Sequence, residues 1–330
     1  MAVEAEFNIL LTSAGRRVSL LRRFKKALAD LSVPGKIIAT DVQRTAAAMH
    51  VADGHELVPS ITSEGYIDAL GALCVRHRLR LIVPLIDTEL PVLAPHRATF
   101  AREGVELLVS STEVNELCLD KQRTCKFFER IGVDTPRILD VPTLLGDANA
   151  GYPFFLKPAD GSCSGGATRI DTREQLAFYS QHTRNAIVQE FIKGNEYTLD
   201  ILTDFDGRTR CVVPRLRMET RAGETSKGIT VKDPVLIEAG RHVVDALPGA
   251  RGCITVQCFY TSGSRPIFIE INPRFGGGFP LAAAAGADYP RWIIQWLIGQ
   301  DPVIGLDGWT DGTVMLRYDE ALFLRAEDIA

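Results

Sequence analysis

The hydrophobic pattern changes period part-way along the chain, and that change limits what the chain can fold into. From Phe7 to about Ser111, the apolar runs FNILLTSA, KIIATD, LRLIVPLI and VELLVSS are separated by stretches such as RRVSLLRRFKKALADL and YIDALGALCVRH, whose apolar residues recur at helical spacing. Strand and helix in alternation predict βαβ units around a parallel sheet. Ligands of such sheets sit at the carboxyl ends of the strands, which here carry Ser13-Ala14-Gly15-Arg16, Asp41, and Asp87 with Glu89. This first part is expected to offer half of a site for a small polar ligand.

Beyond the helical stretch KQRTCKFFERIG and a polar region with Pro136, Pro142 and Gly146 to Gly151, the signal becomes hairpin-like: FFLKP, AIVQEFI, EYTLDILTD, RCVVPRLRMETR, GCITVQCFY and PIFIEIN. Helices are expected at about Arg173 to His182, Val235 to Leu247 and Pro290 to Ile298. The chain therefore reads as α/β, with α+β character in its second part. A hydrophobic content of 46% with 24% charged residues is that of a soluble globular protein, and a net charge of −4 argues against a nucleic-acid partner. No run of about 18 apolar residues predicts a membrane span and no signal peptide is evident, so a cytoplasmic location is expected. The 7 cysteines show no CxxC pair, which suits reduced thiols, and the histidines lack zinc-site spacing.

The chemistry concentrates in a few places. In IFIEINPR, Glu270 and Asn272 alternate with isoleucines and share one strand face. Gln257, on the preceding strand, comes beside Glu270 if the two form a hairpin. Three oxygen donors of this kind suit Mg²⁺ or Mn²⁺, although a polar edge-strand face is the plain alternative. Arg274, followed by Gly276-Gly277-Gly278, is suited to hold a phosphoryl group bidentately where the backbone can approach. Lys157 ends FFLKP and leads into a Gly/Ser loop with Ser162, Ser164 and Gly165, a combination that suits phosphate oxygens without being a Walker A loop. The segment Glu190-Phe191-Ile192 reads as a strand end whose backbone can pair with a base, and Glu196 as a carboxylate for ribose hydroxyls. Lys121, Arg217 and Lys227 add cations, for which an exposed charged strand is the alternative in the last two cases.

The order of these elements, LxxDK, FLKP with a Gly/Ser loop, QEFIKGNEYTLD, a glutamine strand and EINPR, resembles the ATP-grasp superfamily. It is most similar to the ATP-grasp unit of the carbamoyl phosphate synthase large subunit and its stand-alone ligase relatives. The resemblance implies a Rossmann-like domain over residues 1–115 and an ATP-grasp fold over 116–330, the latter divided into a nucleotide-covering subdomain, 116–190, and a metal and substrate subdomain, 191–330. It implies ATP with Mg²⁺ as cofactors. Lys121, Lys157, Ser162, Ser164 and Gly165 would then serve the phosphates, Glu190, Phe191 and Ile192 the adenine, Glu196 the ribose, Gln257, Glu270 and Asn272 the metal, and Arg274, Arg217 and Lys227 the transfer. The loop GSCSGG departs from the usual glycine-rich pattern.

The activity implied is a carboxylate–amine ligase acting on small molecules, amino acids among the candidates, with a homodimer as one allowed assembly. A kinase of the same fold and a non-catalytic nucleotide-binding module remain open alternatives. A dinucleotide-binding oxidoreductase is disfavoured because TSAGRR has only Gly15 where a G-x-G-x-x-G turn is needed.

Overall fold

The computed structural model describes residues 6–160, 166–261 and 263–329. Within them, the first part is a parallel five-stranded sheet of β1 (Asn8–Thr12), β2 (Ile37–Asp41), β3 (Gly54–Leu57), β4 (Leu79–Pro84) and β5 (Glu106–Leu107), in spatial order β3-β2-β1-β4-β5. Three of the expected apolar runs form β1, β2 and β4, and VELLVSS contributes only the short β5. β3 escapes a reading by apolar runs because GHEL is a partly exposed edge strand. The order reverses between β1 and β4, so the crevice beyond their carboxyl ends is the switch point. The turn after β1 is shaped for that crevice: Gly15 adopts φ +46°, and its N–H donates to Asp41 Oδ2 at 2.9 Å.

The second part holds two antiparallel sheets. The smaller contains β6 (Ile138–Leu139), β7 (Phe154–Pro158), β8 (Thr168–Ile170) and β9 (Ala186–Glu190), in order β6-β9-β7-β8. The larger contains β10 (Asn195–Thr203), β11 (Thr209–Arg221), β12 (Glu224–Thr230), β13 (Gly252–Tyr260), β14 (Ile267–Asn272) and β15 (Val314–Leu316), in order β14-β13-β10-β11-β12-β15. The expected helices form as Arg173–His182, Pro234–Asp245 and Tyr289–Leu297.

Packing divides the chain differently from the expected boundaries. One face of the parallel sheet, with Leu10, Ile38 and Ile82, packs in a cluster of its own that includes Tyr66 and Leu70 from the helix Tyr66–His77. The other face, with Ile9, Leu11 and Phe24, is continuous with the core of the large sheet, where Phe24 meets the Phe275 ring edge-on at 5.8 Å. The small sheet keeps a separate core of Phe154, Leu156, Ile170, Leu176 and Val188. The expected boundary between 115 and 116 falls inside the helix Thr112–Leu119. The next helix, Lys121–Arg130, assigned to the small subdomain by resemblance, packs instead on the large sheet, with Phe128 5.6 Å from Phe268. Residues 138–190 form the small sheet and its helices. Among the described residues the six cysteines are buried free thiols, and no helix is long and apolar enough to cross a membrane.

Candidate active site at the meeting of two cavities

The large sheet turns an apolar face to the core, and its polar face lines two cavities. Antiparallel register puts directly opposed residues on one face. Glu270 opposes Gln257, Gln257 opposes Thr198, and Thr198 opposes Arg215, giving one polar row across the strands. Asn272, Thr255 and Asp200 form the next. The hairpin expected from sequence thus brings Gln257 beside Glu270, and the EIN spacing keeps Glu270 and Asn272 on the same side.

One cavity, of about 260 Å³, opens between the small and large sheets. Lys121, Phe155, Lys157, Glu190, Phe191, Ile192, Glu196, Gln257 and Glu270 are in its wall. Lys121 reaches it because Asp120 caps the helix, accepting from Gln122 and Arg123 N–H at 2.8 and 3.1 Å, and the Lys121 N–H donates to the Ala159 carbonyl at 3.0 Å. Lys157 lies at the buried end of β7, and burial lowers its pKa below the ordinary lysine value while the facing Glu270 acts the other way. An apolar slot ending in two lysines and a carboxylate matches a nucleotide with its base inside and its phosphates toward Glu270.

Part of the strand edge expected to pair with a base is already occupied. The Glu190 N–H donates to the Arg137 carbonyl at 3.2 Å and the Glu190 carboxylate pairs with the Arg137 guanidinium, so neither is open to adenine. Phe191 carries Arg169 over its ring at 4.8 Å. Glu196 is bound by Arg217, whose Nη1 also donates to Gln257 Oε1 at 3.1 Å and whose Nη2 donates to the Gly223 carbonyl at 2.8 Å. Burial raises the Glu196 pKa, and the Glu270 charge adds to this against the pull of Arg217. Ser162, Ser164 and Gly165, expected over the phosphates, lie outside the described residues, as does Cys163.

The oxygen donors fit a hard divalent cation. With its amide nitrogen turned inward, Asn272 donates to Glu270 Oε1 at 3.3 Å and to Asp87 Oδ1 at 3.1 Å. With its oxygen inward, three oxygens converge at those same separations. Ligand oxygens around Mg²⁺, each at roughly 2.1 Å, lie about 3 Å from one another. Gln257 Oε1 accepts from Arg217 and keeps a second lone pair for a metal.

A second cavity, of about 80 Å³, lies on the other side of Gln257 and Glu270, which wall both. It is lined by Arg17 from the parallel domain, by Arg215, Arg217 and Arg274, by Glu224 and by Gly276–Gly278. Arg274 Nη2 donates to Asp87 Oδ2 at 2.6 Å, tying the end of β14 to the switch-point crevice.

The parallel domain matches the family described as PylC-like, N-terminal domain, over residues 9–108, and the large-sheet region matches ATP-grasp in the biosynthetic pathway with Ter operon, over 182–311. A D-alanine–D-alanine ligase of Pseudomonas entomophila is 24% identical over 223 residues, covering 59% of this chain and 68% of that protein. A formate-dependent phosphoribosylglycinamide formyltransferase of Escherichia coli is 28% identical over 257 residues, covering 72% of this chain and 63% of that one. Among solved structures, the biotin carboxylase domain of Hydrogenobacter thermophilus 2-oxoglutarate carboxylase, crystallised with MgADP and bicarbonate, superposes with a TM-score of 0.71 at 19% identity, covering 94% of this chain and 74% of that one. Over residues 182–311 the chain is thus similar to ATP-grasp proteins.

Several residues singled out from sequence lie elsewhere than expected. Lys227 is half exposed and pairs with Glu219 at 2.6 Å, in neither cavity wall. Arg217 opposes Gly228 across β11 and β12, so Lys227, one residue before, points to the opposite face, and register shifts around Glu219 bring that carboxylate to it. Glu89 is fully buried and accepts from Tyr66 Oη and from Ser13 Oγ, the latter at 2.9 Å. Asp41 holds the Gly15 turn. Asp87, expected in the half-site for a small polar ligand, holds Arg274. Asp87→Asn is therefore expected to lower kcat roughly ten- to a hundredfold, the worth of a charge-assisted bond, with a smaller change in acceptor KM. Steady-state kinetics showing a raised acceptor KM at unchanged kcat would place Asp87 on the acceptor instead. Arg17 and Glu224 carried no motif in the sequence. Arg215 and Arg217 did carry a signal, since cations two apart on a strand share a face.

Proposed function

We propose that this chain is an ATP-dependent carboxylate–amine ligase: a carboxylate takes the γ-phosphoryl of ATP, and an amine displaces phosphate from the acyl phosphate. The observation that carries this reading is the common wall of Gln257 and Glu270, with a nucleotide-shaped cavity on one side and an arginine-lined cavity on the other. Phosphoryl transfer needs donor and acceptor held in line across a charged seam, and little else from the protein. Lys121 and Lys157 hold the phosphates, Glu270, Asn272 and Gln257 hold Mg²⁺, and Arg274, fixed by Asp87, faces the acceptor. When bound, Mg²⁺ offsets charge on the phosphate oxygens. Relatives that are themselves ligases, including the D-alanine–D-alanine ligase above, support the same class, and amino acids are among the substrates it accommodates.

The test is to incubate the protein with MgATP, hydroxylamine and a panel of carboxylic acids. Hydroxamate and ADP formed in equal amounts with at least one acid are expected. Acyl phosphate released as final product, with no stimulation by any amine, would mark a kinase; no ADP release with any acid and amine would end the ligase reading. Lys157→Ala is expected to weaken MgATP binding roughly ten- to a hundredfold, because a charge-assisted contact is worth about 1.5 to 3 kcal/mol. Calorimetry checks this, and unchanged affinity in a folded variant would remove Lys157 from the nucleotide site.

A further inference from the structure

The second cavity has a recognition element that phosphoryl transfer does not use. Arg215 is 1% exposed, and Asp200 holds it from one side, accepting from Nε at 2.6 Å and Nη2 at 3.1 Å. Its third nitrogen, Nη1, is buried and has no hydrogen-bond partner among the described residues. That nitrogen lies over Gly278: a Cβ there would sit 2.3 Å from it. The neighbouring glycine repeats the arrangement. A Cβ at Gly277 would sit 2.6 Å from Arg17 Nη1, also buried and without a hydrogen-bond partner among the described residues, although Glu224 Oε1 lies 3.3 Å away out of alignment. Burial lowers the Arg17 pKa, and Glu224 beside it acts the other way.

Two guanidinium donors, one from each domain, thus project over successive glycines at one end of the cavity. A buried donor left unmade is costly, and a ligand that accepts from it recovers that cost. We propose that Arg17 and Arg215, above Gly277 and Gly278, form an anion subsite for a substrate carboxylate other than the one that is phosphorylated. A carboxylate fits better than a phosphate. Arg17, Arg215, Arg217 and Arg274 already have carboxylates beside them in Glu224, Asp200, Glu196 and Asp87, which leaves donors rather than surplus charge for the ligand. A planar monoanion uses such donors bidentately. The substrate class is then a small acid with two carboxylates, or an amine bearing one.

This inference rests on the ligase reading, and its test separates the two. MgADP binding is first measured by calorimetry. On the MgADP-loaded protein, amino acids and dicarboxylic acids are then titrated in pairs with the corresponding amide or monoamide. At least one acid is expected to bind roughly ten- to a hundredfold more tightly than its amide, the worth of a charge-assisted bond. Arg17→Gln should bring that ratio close to one at unchanged MgADP affinity, Arg17→Lys should keep part of it, and Gly278→Ala, which crowds Arg215, should reduce it. Acid and amide binding alike, no member of the panel binding, or a ratio that survives Arg17→Gln would each overturn the subsite. Failure of MgADP itself to bind would overturn the ligase reading, and the subsite with it.

Discussion

Glu270→Gln is expected to lower kcat by about three orders of magnitude, or about 4 kcal/mol at 1.36 kcal/mol per tenfold, in a protein that still folds and still binds the adenosine part of its nucleotide. Glu270 stands in the wall shared by both cavities, opposite Gln257 and two residues from Asn272. Of those three donors it alone is charged. Replacing it with a near-isosteric amide removes a protein charge that helps, beside Asp87, to balance a divalent cation there, and leaves Lys157 without its facing carboxylate. The loss should fall on the chemical step, because the metal offsets charge where phosphoryl moves, and excess Mg²⁺ or Mn²⁺ should restore only part of the rate. ADP release by the purified variant, read beside its melting curve, decides the matter. Near-normal turnover in a folded protein would remove Glu270 from the metal site and the seam argument with it.

The largest effect on stability is expected at Asp200. It is fully buried, and its carboxylate holds the buried Arg215 by two bonds. Asp200→Ala leaves a guanidinium without its partner in the interior, a change that costs about 3 to 5 kcal/mol, a large part of the 5 to 15 kcal/mol typical of a folded domain. The double replacement Asp200→Leu with Arg215→Met should recover most of that loss, since a buried pair exchanged for apolar residues is often close to neutral. Urea unfolding of the single and double variants tests both statements. A single variant as stable as the parent would mean that water or another carboxylate reaches Arg215.

Why some of this was legible in the sequence follows from where the partners lie. Glu270 and Asn272 are two apart on a strand, Gln257 is one hairpin away, and Asp120 caps the helix that starts with Lys121, so local periodicity and capping rules reach all four. Arg17 and Glu224 meet only when the parallel domain docks on the β11–β12 hairpin, and no local pattern reports such a contact. Lys227 lies on the other face because Gly228 opposes Arg217, and no local pattern tells which residue of β12 will face Arg217. The helix Lys121–Arg130 was assigned to the small subdomain by resemblance, whereas Phe127 and Phe128 commit it to the large sheet. The same limit applies to the Glu190 N–H, which the Arg137 carbonyl takes where β6 pairs with β9.

The separate core of the small sheet has a consequence for how the molecule breathes. Phe154, Leu156, Ile170, Leu176 and Val188 form a cluster apart from the one that joins the parallel domain to the large sheet. A unit with few buried apolar residues opens at lower free energy than the body it rests on, and amide hydrogen exchange reads that difference segment by segment. Amides of β7 and β9 should therefore exchange with deuterium well before those of β1, β10 and β13. Nucleotide lodged beneath the small sheet would slow the fast set and leave the slow set untouched, so the exchange pattern by itself would map which part of the chain closes.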